Sequence, residues 1–474
     1  MPVPKLSSVE LMTRILKPRS IAVIGASSKP GKVGYATVKN LVDGGFKGKI
    51  YPINPKAPEI LGLKAYPSVK AVPDEIDLAL ISIPAKMVPD AIRELGEKGV
   101  PAAVVFSSGF GEIGNYELDE ELKKAIKESG VRVIGPNTFG VYNPHMNMSA
   151  AFTVSYDYKG VIALTCQSGG VGMGILGYAR SRRLGLSALI GFGNKIDLNE
   201  ADVLEYFAQD ENTKVIAMHM ESVKNGRRFI EVLKKVTPIK PVVILKAGRT
   251  SYGVRAAKSH TGAIIGQDEV VDAALKKAGA IRVKGLEEMF DTARALAMLP
   301  LPQGDNIIVV TGAGGLGVIL SDAIADHGLK LMEIPEDLKE KFRKYVPEFG
   351  ALGNPVDITG ASPPETYRET ILTAVRDPRV HAVILGYWHT IITPPDVFAD
   401  VVIEAVKAMK EEGIEKPIVA SLSGDVQVEE AARKLEEHGV LAFPYSPERA
   451  VAALAAVYKY KWLRDRLLKK QQEK

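Results

Sequence analysis

Short apolar runs rich in Val, Ile and Leu alternate, along most of the chain, with longer stretches whose apolar positions recur every three or four residues. The first pattern suits strands buried on both faces and the second suits helices laid against them. The alternation therefore predicts parallel βαβ architecture. In the first third it predicts strands at Ser20–Ile24, Lys49–Ile53, Leu78–Ile83, Ala102–Phe106 and Arg132–Ile134. Helices are predicted from Val33 onward, near Pro89–Lys98 and near Leu118–Ser129. Together these make a Rossmann-like domain of about 145 residues, a common domain size.

Two further α/β units open with strands Gly160–Leu164 and Asn306–Val310, and they read as copies of one plan. Gln167-Ser168-Gly169-Gly170 after one strand matches Gly312-Ala313-Gly314-Gly315 after the other. Gly193-Asn194-Lys195-Ile196-Asp197 then matches Gly353-Asn354-Pro355-Val356-Asp357. Thr213–Met218, following Asp210, matches Arg379–Leu385, following Asp377, and Lys240-Pro241-Val242-Val243 matches Lys416-Pro417-Ile418-Val419. Correspondences kept in one order argue for a duplicated domain, and the long period argues against a solenoid. The Pro- and Gly-punctuated stretch 298–306 reads as a linker, and the aperiodic stretch 142–158 as a second boundary. The expected domains are 1–145, 146–300 and 301–474.

Composition narrows the class. A chain of 474 residues is too long for one hydrophobic core. Its 46% hydrophobic and 25% charged residues are those of a soluble globular protein. Lys and Arg total 61 against 56 Asp and Glu, a net +5 that favours anionic ligands without making a nucleic-acid surface. The single cysteine, Cys166, rules out an intrachain disulfide and fits a reducing compartment. The first ten residues lack a signal-peptide pattern, and no apolar run approaches the ~20 residues of a membrane span. The expectation is a cytoplasmic protein with neither nucleic acid nor membrane as partner.

Strand Ser20–Ile24 runs into Gly25-Ala26-Ser27-Ser28-Lys29-Pro30-Gly31-Lys32-Val33-Gly34 and then a helix. Glycines let the backbone approach a phosphate, the helix start offers free N–H groups, and Lys29 and Lys32 add charge. The spacing is not that of a P-loop, which needs four residues between its glycines and Lys-Ser/Thr after them. A dinucleotide site needs a carboxylate at the end of the second strand for the ribose. That strand ends instead in Asn54-Pro55-Lys56. A phosphorylated, adenine-containing ligand such as CoA fits better than NAD. Ile83-Pro84, Ser107-Ser108 and Gly135-Pro136-Asn137 end neighbouring strands at the same crevice.

The starts of two later helices, at Ser168-Gly169-Gly170 and Gly312-Ala313-Gly314, carry backbone donors suited to an oxyanion, and two such starts could share one phosphate. Glycine is also common in such turns for structural reasons alone. Of the seven histidines, none pairs with another at ligand spacing, so no zinc site is expected. His327 and His438 precede helix-ending glycines, and His219 and His381 sit in apolar strand segments. His260 differs. It stands in Lys258-Ser259-His260-Thr261-Gly262, on a small-residue stretch that also holds Arg249 and Arg255. It is either a nucleophile on a mobile basic segment or a surface histidine.

On these residues the chain resembles the alpha subunits of ADP-forming acetyl-CoA synthetases, within the succinyl-CoA synthetase superfamily. The most specific marker is Lys258-Ser259-His260-Thr261-Gly262, where that family carries its phosphorylated histidine. The Gly25–Gly34 loop, Gly135-Pro136-Asn137 and the two glycine-rich helix starts support it. The resemblance implies a CoA-binding first domain followed by two flavodoxin-like ligase domains. It implies CoA contacts from Gly25, Ala26, Ser27, Lys29, Gly31, Lys32, Gly34, Asn54, Lys56, Ile83, Pro84, Ser108 and Asn137. Phosphate would be held by Ser168, Gly169, Gly170, Gly312, Ala313 and Gly314. A carboxylate, here Glu221, would accept the Nδ1 proton of His260 and leave Nε2 as the nucleophile.

The reaction so implied is acyl-CoA + ADP + phosphate ⇌ carboxylate + ATP + CoA, through an acyl phosphate and a phosphohistidine. Nothing in the sequence resembles the nucleotide-binding ATP-grasp module of fused relatives. The resemblance therefore implies a separate ATP-grasp beta subunit carrying Mg²⁺ and ADP or ATP, in an alpha2beta2 heterotetramer. The competing readings are a CoA-sensing regulator with an incidental histidine, and an oxidoreductase suggested by the Rossmann-like start. Phe139, Tyr142 and Phe152 either line an acyl pocket or belong to the core.

Overall fold

The computed structural model describes residues 3–255 and 267–473. The chain divides into two compact units, Met1–Met289 and Phe290–Lys474.

The first unit holds two sheets. One is fully parallel, in the order Lys49–Ile53, Ser20–Ile24, Leu78–Ile81, Ala102–Val105, Arg132–Ile134. Its strands are almost wholly buried because helices cover both faces, which explains their unbroken apolar runs. Helix Val33–Asp43 starts where the sequence predicts, while Tyr116–Ser129 begins two residues ahead of the predicted Leu118, capped by Asn115. A helix absent from the sequence reading, Ser8–Leu16, is closed by a capping box between Ser7 and Glu10 and buries Leu11, Met12, Ile15 and Leu16.

The second sheet runs Ile281–Val283, Val242–Lys246, Val215–Met220, Lys159–Cys166, Leu186–Gly191 in parallel, then adds the antiparallel hairpin Gly140–Asn143 and Met148–Ala151. Counted along the chain, its parallel part has the order 2-1-3-4-5 of flavodoxin-like folds. The expected division at 145/146 falls inside that hairpin. Its alternation is masked because both of its strands are buried throughout. One apolar cluster joins Leu11, Ile21, Val141, Ile190 and Phe207, so the two sheets of this unit share a core.

The second unit repeats the 2-1-3-4-5 order with strands Lys330–Leu331, Asn306–Thr311, Ala382–Trp388, Ile418–Ser423 and Leu441–Pro444, and Val356–Asp357 pairs beside Asn306–Thr311. The division between units falls within helix Leu286–Met298, ahead of the linker-like stretch 298–306. Ala295 and Leu299 join the apolar cluster of Ile307, Leu320 and Leu454, and Arg449 forms a bidentate pair with Asp291. These contacts attach the end of the helix to the second unit.

The duplication extends to single hydrogen bonds. Cys166 Sγ donates to the Ser168 carbonyl at 3.1 Å, and Thr311 Oγ1 donates to the Ala313 carbonyl at 3.0 Å. Lys240 Nζ donates to the Asp210 carbonyl at 2.6 Å, and Lys416 Nζ to that of Asp377 at 2.7 Å.

Candidate functional site

Doubly wound sheets bind ligands at the carboxyl ends of their strands, beside the point where strand order reverses. In the first sheet that point lies between Ser20–Ile24 and Leu78–Ile81. In the second it lies between Lys159–Cys166 and Val215–Met220. Both open into one cavity of about 1130 Å³ inside the first unit.

Hydrogen bonds lace the strand tips on the first sheet's side. Asn54 Nδ2 donates to the Ala26 carbonyl at 2.8 Å, Ser82 Oγ to that of Ile24 at 3.2 Å and Ser107 Oγ to that of Ile83 at 2.5 Å. The Asn137 amide donates to the Ser107 carbonyl, and the Asn194 amide to that of Pro136, both at 2.9 Å. Gly25 adopts φ +85, and a Cβ there would lie 2.6 Å from the Ser82 carbonyl. At Gly34 a Cβ would meet the Gly25 carbonyl at 2.0 Å, so both glycines are needed for the helix start to close on the strand end. Of the expected CoA contacts, Ile83, Pro84, Ser108 and Asn137 line the cavity. Gly25, Ala26, Ser27, Lys29, Gly31, Lys32, Gly34, Asn54 and Lys56 do not line it, but Val33, next to Lys32, does.

On the second sheet's side, Ser168 caps helix Gly169–Ser181, its hydroxyl accepting from the Val171 amide at 3.5 Å. Amides in the first helical turn have no carbonyl partner within the helix and lie at its positive end. Ser168, Gly169 and Gly170 line the cavity, and so does half-buried Glu221 at the end of strand Val215–Met220. Gly312, Ala313 and Gly314 belong to the second unit. There Gly314 opens helix Gly314–Asp326, and the Trp388 indole donates to the Gly312 carbonyl at 2.8 Å. His260 lies outside the described residues.

Several cavity residues were not singled out from the sequence. Gln167, buried just before the Ser168 cap, accepts on Oε1 from the Glu221 amide at 2.9 Å and the Ser222 amide at 3.1 Å. Glu112 accepts from the Gly109 amide and from Asn194 Nδ2 at 2.6 Å. Burial pushes its carboxyl up, but these donors together outweigh burial and hold it below the usual range. Phe139 and Phe152 line the cavity, whereas Tyr142 is core. The Phe139 ring is wedged between two glycines, since a Cβ at Gly172 would sit 2.4 Å from it and one at Gly191 2.7 Å.

Behind the cavity, His219 Nδ1 meets Cys166 Sγ at 3.4 Å. Burial, reinforced by Lys195 and Lys246, pulls the imidazole down to about 4, and burial pushes the Cys166 thiol up to about 12. Neither is suited to nucleophilic or acid–base work near neutral pH. Among the described residues no group of three His, Cys, Asp or Glu side chains is placed to hold a metal ion, and no helix is long and apolar enough to cross a membrane.

Two doubly wound sheets that bring strand ends and a serine-capped, glycine-rich helix start to one cavity define a ligand-binding α/β protein with a flavodoxin-like domain. Family models agree along the chain: a CoA binding domain at 19–144, a succinyl-CoA ligase like flavodoxin domain at 159–296 and a ligase-CoA domain at 307–468. The alpha subunit of acetate–CoA ligase [ADP-forming] I from Pyrococcus furiosus is 43% identical over 455 residues, covering 94% of this chain and 97% of that one. An acetate–CoA ligase [ADP-forming] from Methanocaldococcus jannaschii is 41% identical over 443 residues, covering 94% of this chain but 62% of that longer protein. The structure of a dinucleotide forming acetyl-coenzyme A synthetase 1 from Ca. Korarchaeum cryptofilum, in complex with phosphate and ADP, superposes with a TM-score of 0.93 at 40% identity, covering 97% of this chain and 98% of that one. The chain belongs to the family of ADP-forming acetate–CoA ligases and corresponds to their alpha subunits.

Proposed function

We propose that this chain is the CoA-binding, phosphohistidine-carrying alpha subunit of an ADP-forming acyl-CoA synthetase, with acetate as the first acid to test. The observation that carries this reading is the single cavity lined by Asn137 and Ser108 on one wall and by Ser168, Gly169, Gly170 and Glu221 on the other. Domain 1–145 would bind CoA, domain 146–300 would carry the histidine, and domain 301–474 would add a second anion-binding helix start at Gly312, Ala313 and Gly314. Gly25, Ala26, Ser27, Lys29, Gly31, Lys32, Gly34, Asn54 and Lys56 would hold the phosphorylated end of CoA, with Ile83, Pro84, Ser108 and Asn137 nearer the thioester.

The reaction then runs in three transfers. A phosphate oxygen attacks the thioester carbonyl, the C–S bond breaks, and CoA leaves as the thiol with the proton phosphate gives up. Nε2 of His260 attacks phosphorus, the acyl-side P–O bond breaks, and the acid leaves as carboxylate. The phosphoryl group passes from His260 to an ADP oxygen. Glu221 would hold the Nδ1 proton through the middle step. Backbone amides at a helix start stabilise charge on the transferring group without reorganising.

A partner subunit of ATP-grasp type would hold Mg²⁺ and ADP or ATP, in an alpha2beta2 assembly in the cytoplasm. The alpha-subunit designation of the P. furiosus relative supports a divided enzyme. Wild-type protein incubated with acetyl-CoA and radiolabelled phosphate should acquire an acid-labile label, and His260→Asn should acquire none. Labelling of His260→Asn at the wild-type rate would refute the assigned nucleophile.

A further inference from the structure

Lys195 is the most deeply buried cation near the cavity, its side chain 0% exposed, and no step of the reaction uses it. Its ammonium donates to Glu200 Oε1 at 2.5 Å, to the Ser222 carbonyl at 2.6 Å and to Gln167 Oε1 at 2.8 Å, which uses all three of its N–H groups. The same Gln167 oxygen accepts from the Glu221 and Ser222 amides, and Gln167 Nε2 donates to Ser222 Oγ at 3.3 Å. Lys195 thus ties together two segments of one cavity wall, the turn that begins with Glu221 and the residue immediately before the Ser168 cap. Its backbone is left-handed, φ +52, and the preceding Asn194 lines the cavity.

Fold stability does not by itself explain this arrangement. A buried ion pair rarely stabilises a fold better than apolar side chains of similar volume. Apolar side chains could not hold an amide oxygen and a carbonyl at fixed positions. The second unit is an internal control, because it builds the same strand order without the network. Gly312 stands where Gln167 does, and by strand register Ala361 stands where Lys195 does and Trp388 where Glu221 would be. The ammonium, the amide and the cavity carboxylate are present together or absent together.

We propose that Lys195, anchored by Glu200 and acting through Gln167, is a positioning residue that fixes the Glu221 turn relative to the Ser168–Gly170 helix start. The inference rests on the phosphoryl-transfer reading above. It is tested with the full chain and its partner subunit, acetyl-CoA and radiolabelled phosphate, measuring the initial rate of acid-labile labelling against acetyl-CoA concentration. Lys195→Met and Gln167→Met should each lower the maximal rate about 10- to 100-fold, the cost of misplacing reacting groups by about 1 Å. The KM for acetyl-CoA should stay within about threefold, because the CoA wall is not part of the network. Gln167→Met keeps the Lys195–Glu200 pair, so it decides the question if Lys195→Met does not fold. Both variants labelling at the wild-type rate per folded molecule, with only a lower Tm, would overturn the proposal while a dark His260→Asn left the parent reading intact. Label on His260→Asn would instead remove the parent reading.

Discussion

The two flavodoxin-like copies in this chain share strand order, the strand-end hydrogen bond to a carbonyl two residues on, and the Lys-to-carbonyl contact after the third strand. They differ where the strands end. The first copy presents Ser168, Gln167 and Glu221 to a cavity, with a satisfied ammonium behind them. The second presents Ala313 and Gly312, with Trp388 closing on the Gly312 carbonyl. Shared positions are those the fold needs, and the differing positions are those a reaction would need. Duplication thus separates scaffold from chemistry within one polypeptide.

The comparison is broken most severely at Glu221. Changing Glu221 to Gln should cut phosphohistidine formation by about 10²- to 10⁴-fold, the usual worth of a positioned proton acceptor. A variant labelled at the wild-type rate would leave Glu221 with no more function than Trp388. Next is His219, whose register counterpart is Gly386. Its folded value of about 4 lies below that of an exposed imidazole. As pH falls below about 6.5 the unfolded chain binds a proton that the folded chain refuses, so stability present at neutral pH is lost down to about pH 4. The loss is on the order of 3 kcal/mol, and His219→Leu should flatten that part of the Tm–pH curve. An unchanged slope would contradict the neutral, buried imidazole.

The smallest effects come from paired glycines one helical turn in. Gly172→Ala drives a methyl into the Phe139 ring and should cost about 1–3 kcal/mol. Gly317→Ala, whose methyl would approach Pro355 and Thr311 no closer than 3.1 Å, should be near neutral because alanine favours the helix by about 1 kcal/mol. Equal costs in urea melts would show that the Phe139 wall is not specially packed.

Much of this was legible in the residues. Buried parallel strands leave continuous apolar runs, so Ser20–Ile24 and Lys49–Ile53 are read to the residue. Glycines needed for close approach stand out, as Gly25 and Gly34 do. The hairpin at Gly140–Ala151 was hidden because neither of its strands alternates. The match of Gly193–Asp197 with Gly353–Asp357 is not kept by the strand register, which sets Asp357 where Gly191 stands, so it marks no counterpart of Lys195. The inward direction of Lys195 is set by a left-handed backbone that the sequence does not announce. Gln167 was seen as part of a glycine-rich turn, and its three donors come from segments far apart in the chain.

The account depends most on one cavity receiving the thioester end of CoA and inorganic phosphate together. A crystal structure of the protein grown with CoA and phosphate tests this directly. The predicted result is the CoA thiol beside Asn137 and a phosphate on the amides of Gly169 and Gly170, within one cavity and close enough to react. CoA bound on another face, or a phosphate-free helix start at Ser168 at saturating phosphate, would contradict it.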